Sequence, residues 1–201
     1  LQVDGYQGYE QTQATLIGCW AHARRKFMEA KKGAGKKGSG KADWALNHIQ
    51  KLYRIETQLN DKTVEVRYLT RQEKSLLLLN QLHAWLMKSV QQVLPKTKLG
   101  EAIQYCLNQW EKLVRYTLDG QLKIDNNRAE RAIKPFVIGR KNWLFSQTAT
   151  GANASAMLYS IIETAKANDL NVFEYAMTCL DELSKPDVDI EQLLPWQFAK
   201  R

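Results

Sequence analysis

The chain has 201 residues, of which 44% are hydrophobic, and a net charge of +8. That is enough apolar side chain for one domain core, and no apolar run is long enough to span a bilayer. The start is polar with no apolar signal segment after it, which argues against a secreted protein. The three cysteines are widely spaced, which argues against a disulfide framework and favours a reducing cytoplasm.

The charges are unevenly distributed along the chain. Eight basic residues and one acid fall between Arg24 and Lys41, whereas eight acids and two lysines fall between Glu163 and Glu191. A basic stripe with an acidic tail favours a polyanionic partner on one face. A solvated basic loop explains the same pattern equally well, so charge alone leaves both interpretations open.

Two short segments near the N-terminus are predicted to be strands. Residues 1–4 are predicted to end a strand at Asp4, and residues 14–20 form an apolar, partly β-branched run that predicts the next, parallel strand. Residues 21–32 then predict a basic helix. The glycine- and lysine-rich stretch 31–41 predicts a mobile loop or linker.

The middle of the chain, from about residue 42 to 116, is predicted to be a helical subdomain. Apolar residues recur there at three-to-four spacing, which is typical of helices packed on one face. Three such stripes are present, and they run from Trp44 to Leu59, from Leu78 to Val93 and from Ile103 to Val114.

A capped helix is predicted to follow Asp125, whose side chain suits hydrogen bonding to a first-turn amide. Pro135 is predicted to kink or end this helix. At helical spacing the segment has a polar face and an apolar face, and the apolar face is expected to be buried. The polar face comprises Asn126, Asn127, Glu130 and Lys134, and the apolar face comprises Ala129, Ile133 and Val137.

The C-terminal third is predicted to contain two more helices. Residues 137–145 predict a basic, aromatic connector, residues 154–165 a buried helix, and residues 173–183 a final helix capped by Asn171. The acidic tail after Pro186 is expected to be loosely held.

Two carboxylates, Asp4 and Glu130, are the candidates for chemistry. Taken alone, Asp4 before Gly5 is more often a simple turn residue, and Glu130 alone is more often a solvated helix residue. Asp125 is assigned to capping. Scattered histidines without a Gly-x-Ser-x-Gly segment argue against a nucleophile triad, and no phosphate-binding glycine loop follows a strand.

Four segments together give the chain a resemblance to a known family. They are Leu1–Tyr6, Cys19–Phe27, Ile124–Arg131 and Pro135–Phe145. In combination they resemble the C-terminal half of an insertion-sequence transposase, and the family it looks most like is the insertion sequence 66 family. The resemblance runs almost end to end and is weakest between about residues 33 and 68.

The resemblance implies an α/β fold, namely the C-terminal, mostly helical portion of a ribonuclease H-like transposase/integrase core with an all-helical insertion. The implied parts are the last core strands and following helix (1–32), the helical insertion (33–118), the core helix with the third acid and the C-terminal helices (119–185), and the acidic tail (186–201).

The function implied is DNA transposition, by metal-dependent cleavage at element ends and strand transfer in a DDE-type transposase. Asp4 and Glu130 would be the second and third acids and would ligate Mg²⁺ (or Mn²⁺), which favours carboxylates for phosphodiester chemistry. The first acid would lie upstream of Leu1. The implied partners are element-end and target DNA and a second copy in a homodimer on DNA, with no membrane, in a bacterial cytoplasm at the nucleoid.

Basic side chains beside these acids are candidate phosphate contacts, which confer salt-dependent affinity without sequence specificity. They are Arg24, Arg25, Lys26, Arg128, Arg131, Lys134, Arg140 and Lys141. The first three occupy consecutive helix positions and cannot all share a face. Trp143 is as readily a base-stacking residue as a core residue.

Cys19 and His22 have the spacing of a zinc pair, but no second pair lies near them, so a structural zinc site is disfavoured. The resemblance places both in the core beside the active site. A buried structural role is favoured for Cys19, and the role of His22 stays open. Asn126 and Asn127 are possible supporting residues.

Two alternatives to an active transposase stay open. One is a truncated, inactive relic that only binds DNA, because the first acid is absent here. The other is a helical interaction protein whose acids are incidental.

Overall fold

The computed structural model describes residues 1–33, 40–143 and 146–200, and for Arg140 and Trp143 it describes the backbone alone. Most of the glycine- and lysine-rich loop predicted over residues 31–41 lies outside these described residues.

The described chain is mostly helical and divides into two compact units, Leu1–Arg128 (unit 1) and Ala129–Arg201 (unit 2). The predicted core segment and helical insertion both fall in unit 1. The elements of unit 1 are β1 Gln2–Val3, β2 Ile17–Gly18, α1 Trp20–Gly33, α2 Gly40–Gln58, α3 Val64–Thr70, α4 Leu76–Val90, α5 Lys98–Asn108 and α6 Trp110–Val114. The later helices are α7 Asn127–Trp143, α8 Ala149–Ala167, α9 Val172–Leu183, α10 Ile190–Leu193 and α11 Pro195–Phe198.

The two predicted strands pair in parallel, as expected. Gln2 lies opposite Ile17, and Val3 lies opposite Gly18. Glycine is needed at position 18 because a Cβ there would lie 2.9 Å from the backbone nitrogen of Leu113 in α6. The strand pair is therefore packed closely against the helices of unit 1.

The three predicted apolar stripes form the core of unit 1. Helix α1 packs against α2 and α5 through a face that includes Trp20 and Phe27, both fully buried. Burial of side chains of this size contributes about 1.5–3 kcal/mol each relative to exposure. The stripes on α2, α4 and α5 contribute Ala45, Ile49, Leu52, Leu79, Leu82, Leu86, Ala102, Ile103 and Cys106.

Arg71, in a π-helical segment between α3 and α4, fixes the loop that returns from the helices to α7. Its guanidinium forms a buried ion pair with Glu56, with nitrogen–oxygen distances of 2.6 and 2.9 Å. It also donates to the backbone carbonyls of Tyr116, Asp119 and Leu122 at 2.8–2.9 Å. The nitrogen donors of the guanidinium therefore all have acceptors inside the protein, as a buried cation requires.

Helix α7 continues through Pro135, so of the two outcomes predicted there the end of the helix is wrong, and the kink stays a prediction. A proline removes one helical hydrogen bond, but this helix has 17 residues and extends on both sides of Pro135. The predicted connector over residues 137–145 is therefore helical as far as Trp143, and its last two residues lie outside the described chain.

The prediction that α8 is a buried helix is also wrong. Of its apolar residues Ala165 is buried, but Met157 is 62% exposed and Leu158 58%. The apolar face predicted for α7 is likewise exposed, with Ile133 at 58% and Val137 at 39%. Periodicity identifies a face suited to burial, but burial needs a neighbouring element, and the described part of unit 2 covers little of these faces.

Asn171 caps α9 as predicted, since its side chain accepts the amides of Phe173 and Glu174. The acidic tail is not loosely held, however. The hydroxyl of Tyr175 donates to the carbonyl of Leu193 at 2.7 Å, and its ring meets that of Phe198 edge-on. Across the described residues, no helix has the length and apolar content that crossing a membrane requires.

Candidate functional site

Asp4 lies directly after β1 at the exposed end of the strand pair. One carboxylate oxygen, Oδ1, accepts the amide of Tyr6 at 3.0 Å, and Gly5 between them has φ +93°, where glycine is favoured. The simple turn considered for this Asp-Gly pair is therefore present. The same turn leaves the carboxylate accessible to solvent at a strand tip.

Tyr105, from α5, holds the backbone of this turn. Its hydroxyl donates to the carbonyl of Asp4 at 2.7 Å, and its ring lies beside Gly5. Burial raises the pKa of Tyr105 above its usual range, so the hydroxyl stays a neutral donor. The ammonium of Lys26 lies 5.8 Å from the ring centroid, within cation–π range.

The segment that leads into α7 runs beside the strand pair. The Gln2 side chain donates to the carbonyl of Lys123 at 2.8 Å, and the amide of Trp20 donates to the carbonyl of Ile124 at 3.1 Å. The amide of Asn126 donates to Cys19 Sγ at 3.5 Å. Burial raises the pKa of this buried Cys19, which keeps the thiol neutral.

Asp125 lies one residue before the N-cap position of α7, and its predicted capping hydrogen bond to a first-turn amide is present. Its Oδ1 accepts the amide of Asn127 at 3.2 Å, and its Oδ2 accepts the Asn127 side-chain amide at 2.8 Å. The hydroxyl of Tyr53, from α2, donates to the same Oδ2 at 2.9 Å. Burial, and then the Asp125 charge, raise the pKa of Tyr53 far above its usual range, so it remains a donor.

An open pocket of about 540 Å³ lies beside this cap. Helix α1 contributes Arg24 and Arg25 to its wall, and Tyr53 and Asn127 complete the side nearest Asp125. The three consecutive basic residues of α1 diverge, as their spacing requires, since Lys26 lies over Tyr105 instead. The remaining lining residues are Ala21, Met28, Gln50 and Thr57.

Glu130 lies in the first turn of α7 and is half-buried. It belongs to unit 2, whereas Asp4 belongs to unit 1. In the described portion of the chain, no three His, Cys, Asp or Glu side chains are grouped so that they could hold a metal ion. Six of the predicted phosphate contacts are exposed, namely Arg24, Arg25, Arg128, Arg131, Lys134 and Lys141, and the side chain of Arg140 lies outside the described residues.

His22 and Asn126, the other candidate supporting residues, are half-buried beside this segment. The side-chain oxygen of Asn126 is buried and has no hydrogen-bond partner among the described residues. A buried acceptor normally has a hydrogen-bond partner, so this oxygen remains available to accept one more hydrogen bond.

Sequence reasoning missed Tyr53 and Tyr105. Each lies on the border of an apolar helical stripe, where a tyrosine is expected to be a packing residue. Their partners are 72 and 101 positions away, respectively. No local pattern identifies contacts over such separations.

The mostly helical fold, the parallel strand pair and the basic helix α1 fit part of a transposase. The sequence pattern described as Transposase IS66 family matches residues 1–154, and the pattern described as IS66 C-terminal element matches residues 160–196. The chain belongs to the IS66 family of transposases.

The chain is also similar to three curated proteins of Sinorhizobium fredii (strain NBRC 101917 / NGR234). It is 34% identical to uncharacterized protein y4hP over all of this chain and 40% of that protein. It is 34% identical to y4qI over 98% of this chain and 39% of that protein, and 31% identical to y4jD over 98% and 41%. The chain therefore spans about two fifths of the length of these relatives. No solved structure matches it.

Proposed function

We propose that the chain is the part of a DDE-type transposase that supplies the second and third catalytic acids, Asp4 and Glu130. The activity would be metal-dependent cleavage at element ends followed by strand transfer, on a ribonuclease H-like core. One observation supports this most directly. The segment 123–126, which leads into the Glu130-bearing helix, is hydrogen-bonded to the strand pair that ends at Asp4 and to the start of α1.

The donor chemistry of the chain fits Mg²⁺ or Mn²⁺, which favour carboxylate oxygens. Asp4 and Glu130 would hold the metal, and the metal would activate the attacking oxygen and stabilise the leaving oxygen. Asp125 is less suited to this role because its two oxygens already accept three hydrogen bonds. The remaining carboxylate, the first acid, would come from outside these 201 residues.

The partner would be DNA, at element ends and at the target, bound by a homodimer. Arg24, Arg25 and Lys26 on α1 supply positive charge on the same unit as Asp4. Arg128, Arg131 and Lys134 supply exposed positive charge on both sides of Glu130. Contacts of this kind would make DNA affinity fall steeply with salt.

The decisive experiment is cleavage of an element-end DNA by the full-length protein with Glu130→Gln or Asp4→Asn. Both changes remove a charge and keep the side-chain size, and an asparagine amide oxygen in place of the Asp4 carboxylate could still accept the Tyr6 amide. We expect cleavage to be lost while DNA affinity stays within about twofold, because phosphate contacts and metal ligation are separate functions.

The matched control is Glu65→Gln, since Glu65 is an exposed acid in the first turn of α3. This variant should cleave like the wild type. If the Glu130→Gln protein cleaves normally, the metal assignment is wrong. A wild-type full-length protein that binds DNA without cleaving it would instead indicate an inactive, DNA-binding relic.

A further inference from the structure

We propose that the pocket between α1 and α2 binds one nucleotide unit of a DNA strand, with its phosphate against Arg24 and Arg25. The inference rests on the proposed function and adds a second feature to it. The helical insertion, through α2, would form one wall of the DNA site rather than being a remote domain.

The pocket is built by three separate parts of unit 1. Helix α1 supplies Arg24 and Arg25, α2 supplies Gln50 and Tyr53, and Asn127 begins α7. These elements converge although the first and last are about one hundred positions apart in sequence. The walls are thus set by tertiary packing.

The two arginines have unneutralised charge in this pocket. Both are exposed, and neither forms an ion pair with a carboxylate within residues 1–33, 40–143 and 146–200. Some other cations of unit 1 do form ion pairs, such as Lys31 with Asp43 and Lys112 with Glu10. Guanidinium groups bind phosphate through a planar set of donors. Two neighbouring arginines without carboxylate partners therefore favour a phosphate ligand.

The charge of Asp125, which is hydrogen-bonded to two lining residues of the pocket, is already partly compensated. Asp125 accepts one hydrogen bond from Tyr53 and two from Asn127. Its repulsion of a bound phosphate is therefore reduced by three donors. In addition, Asn127 is the first residue of the 17-residue helix α7, and the N-terminus of a helix favours an anion.

The size of the pocket indicates more than a bare phosphate. Its volume of about 540 Å³ lies within the range of roughly 300–1,000 Å³ that small organic ligands occupy. Met28 and Ala21 give it an apolar side, which suits a sugar or base, and Gln50 offers an exposed amide. One nucleotide of a DNA strand matches this combination.

The test measures binding of the 201-residue chain to a labelled DNA duplex with a single-stranded end, at several salt concentrations. Arg24→Gln and Arg25→Gln should each lower the slope of log affinity against log salt by about 0.7–0.9, the value for one lost phosphate contact. Both arginines are exposed, so these substitutions leave the core intact. Thr57→Met should also lower the affinity, because it fills the pocket without removing a charge.

The matched control is Arg54→Gln, which removes an exposed arginine on α2 that does not line this pocket. Its slope should equal that of the wild type. If Arg54→Gln lowers the slope as much as Arg24→Gln, or if Thr57→Met has no effect, a diffuse basic surface binds DNA and the pocket proposal is overturned. A wild-type chain without salt-dependent DNA binding would contradict the proposed function itself.

Competition separates a nucleotide from free phosphate. At equal ionic strength, deoxyadenosine monophosphate should displace the DNA more effectively than inorganic phosphate does, and the difference should disappear in Arg24→Gln. Equal competition by the two would overturn the nucleotide assignment.

Discussion

The hydroxyl of Tyr105 donates a 2.7 Å hydrogen bond to the backbone carbonyl of Asp4, across 101 positions of sequence. The contact joins helix α5 of the predicted helical insertion to the turn that presents a candidate metal ligand. The orientation of that turn therefore depends on a residue remote in sequence.

Tyr105→Phe should reduce DNA cleavage by the full-length protein while leaving DNA affinity unchanged. A neutral hydrogen bond contributes about 0.5–1.5 kcal/mol, which corresponds to roughly a 2- to 12-fold loss of rate. Tyr68→Phe is the control, because Tyr68 is an exposed tyrosine on α3. Equal cleavage by the Tyr105 and Tyr68 variants would show that the contact has no positioning role.

Tyr53 and Asp125 should be energetically coupled in the unfolding of the 201-residue chain. The hydrogen bond has a charged acceptor in a half-buried place, so Tyr53→Phe should cost about 1.5–3 kcal/mol. Asp125→Asn retains a capping oxygen and removes the charge. In a double-mutant cycle measured by urea denaturation, we expect a coupling of at least about 0.5 kcal/mol; additive effects would exclude the pairing.

Arg71→Met should destabilise the chain strongly, by about 3–5 kcal/mol. The change leaves the Glu56 carboxylate and three backbone carbonyls without their buried donor. The matched control is Arg54→Met, because Arg54 is exposed and its substitution should change the free energy of unfolding by no more than about 0.5 kcal/mol. The urea midpoints of the two variants should be compared. Similar midpoints for the two variants would contradict the role given to Arg71.

The three cysteines should differ in reactivity towards a thiol reagent at about pH 8. Cys19 and Cys106 are buried, and Cys179 is half-buried. Cys179 should therefore react first, and the other two should react only with unfolding. Mass spectrometry of the labelled peptides would show the order, and early labelling of Cys106 would contradict the packing of α5.

Burial raises the pKa of Cys106 to about 12 from a model-compound value of 9.0. Below pH 9 the thiol is neutral in the folded and in the unfolded protein, so the stability gained by burying it is fully present. Between pH 9 and 12 the unfolded thiol ionises but the folded one does not, so stability falls, by about 1 kcal/mol at pH 10. Cys106→Ala should lose less stability than the wild type between about pH 8 and pH 10 in urea denaturation.

Much of the secondary structure could be predicted from local patterns. The parallel strands, the basic helix α1, the apolar stripes of α2, α4 and α5, and the caps at Asp125 and Asn171 all follow from spacing and residue type within a few positions. The family was predicted from motifs that are likewise local. At Pro135 the predicted end of the helix was wrong, because α7 has 17 residues and continues past the proline.

Long-range contacts, and the burial of the faces in α7 and α8, could not be predicted in the same way. The apolar residues Met157 and Leu158 have the spacing of a buried face, yet they are exposed because the described part of unit 2 does not cover them. Tyr53, Tyr105 and Arg71 were missed because their partners lie far away in sequence, up to 101 positions for Tyr105.

By itself, then, the sequence determined the helices, the strand pair, the basic character of α1 and the membership of a transposase family. Only the tertiary structure decided which side chains meet at Asp4 and Asp125, and that Arg24 and Arg25 share a pocket with α2. The physical reason is that hydrophobic periodicity and capping act within a segment, whereas a hydrogen bond or a pocket wall depends on which distant segments pack side by side.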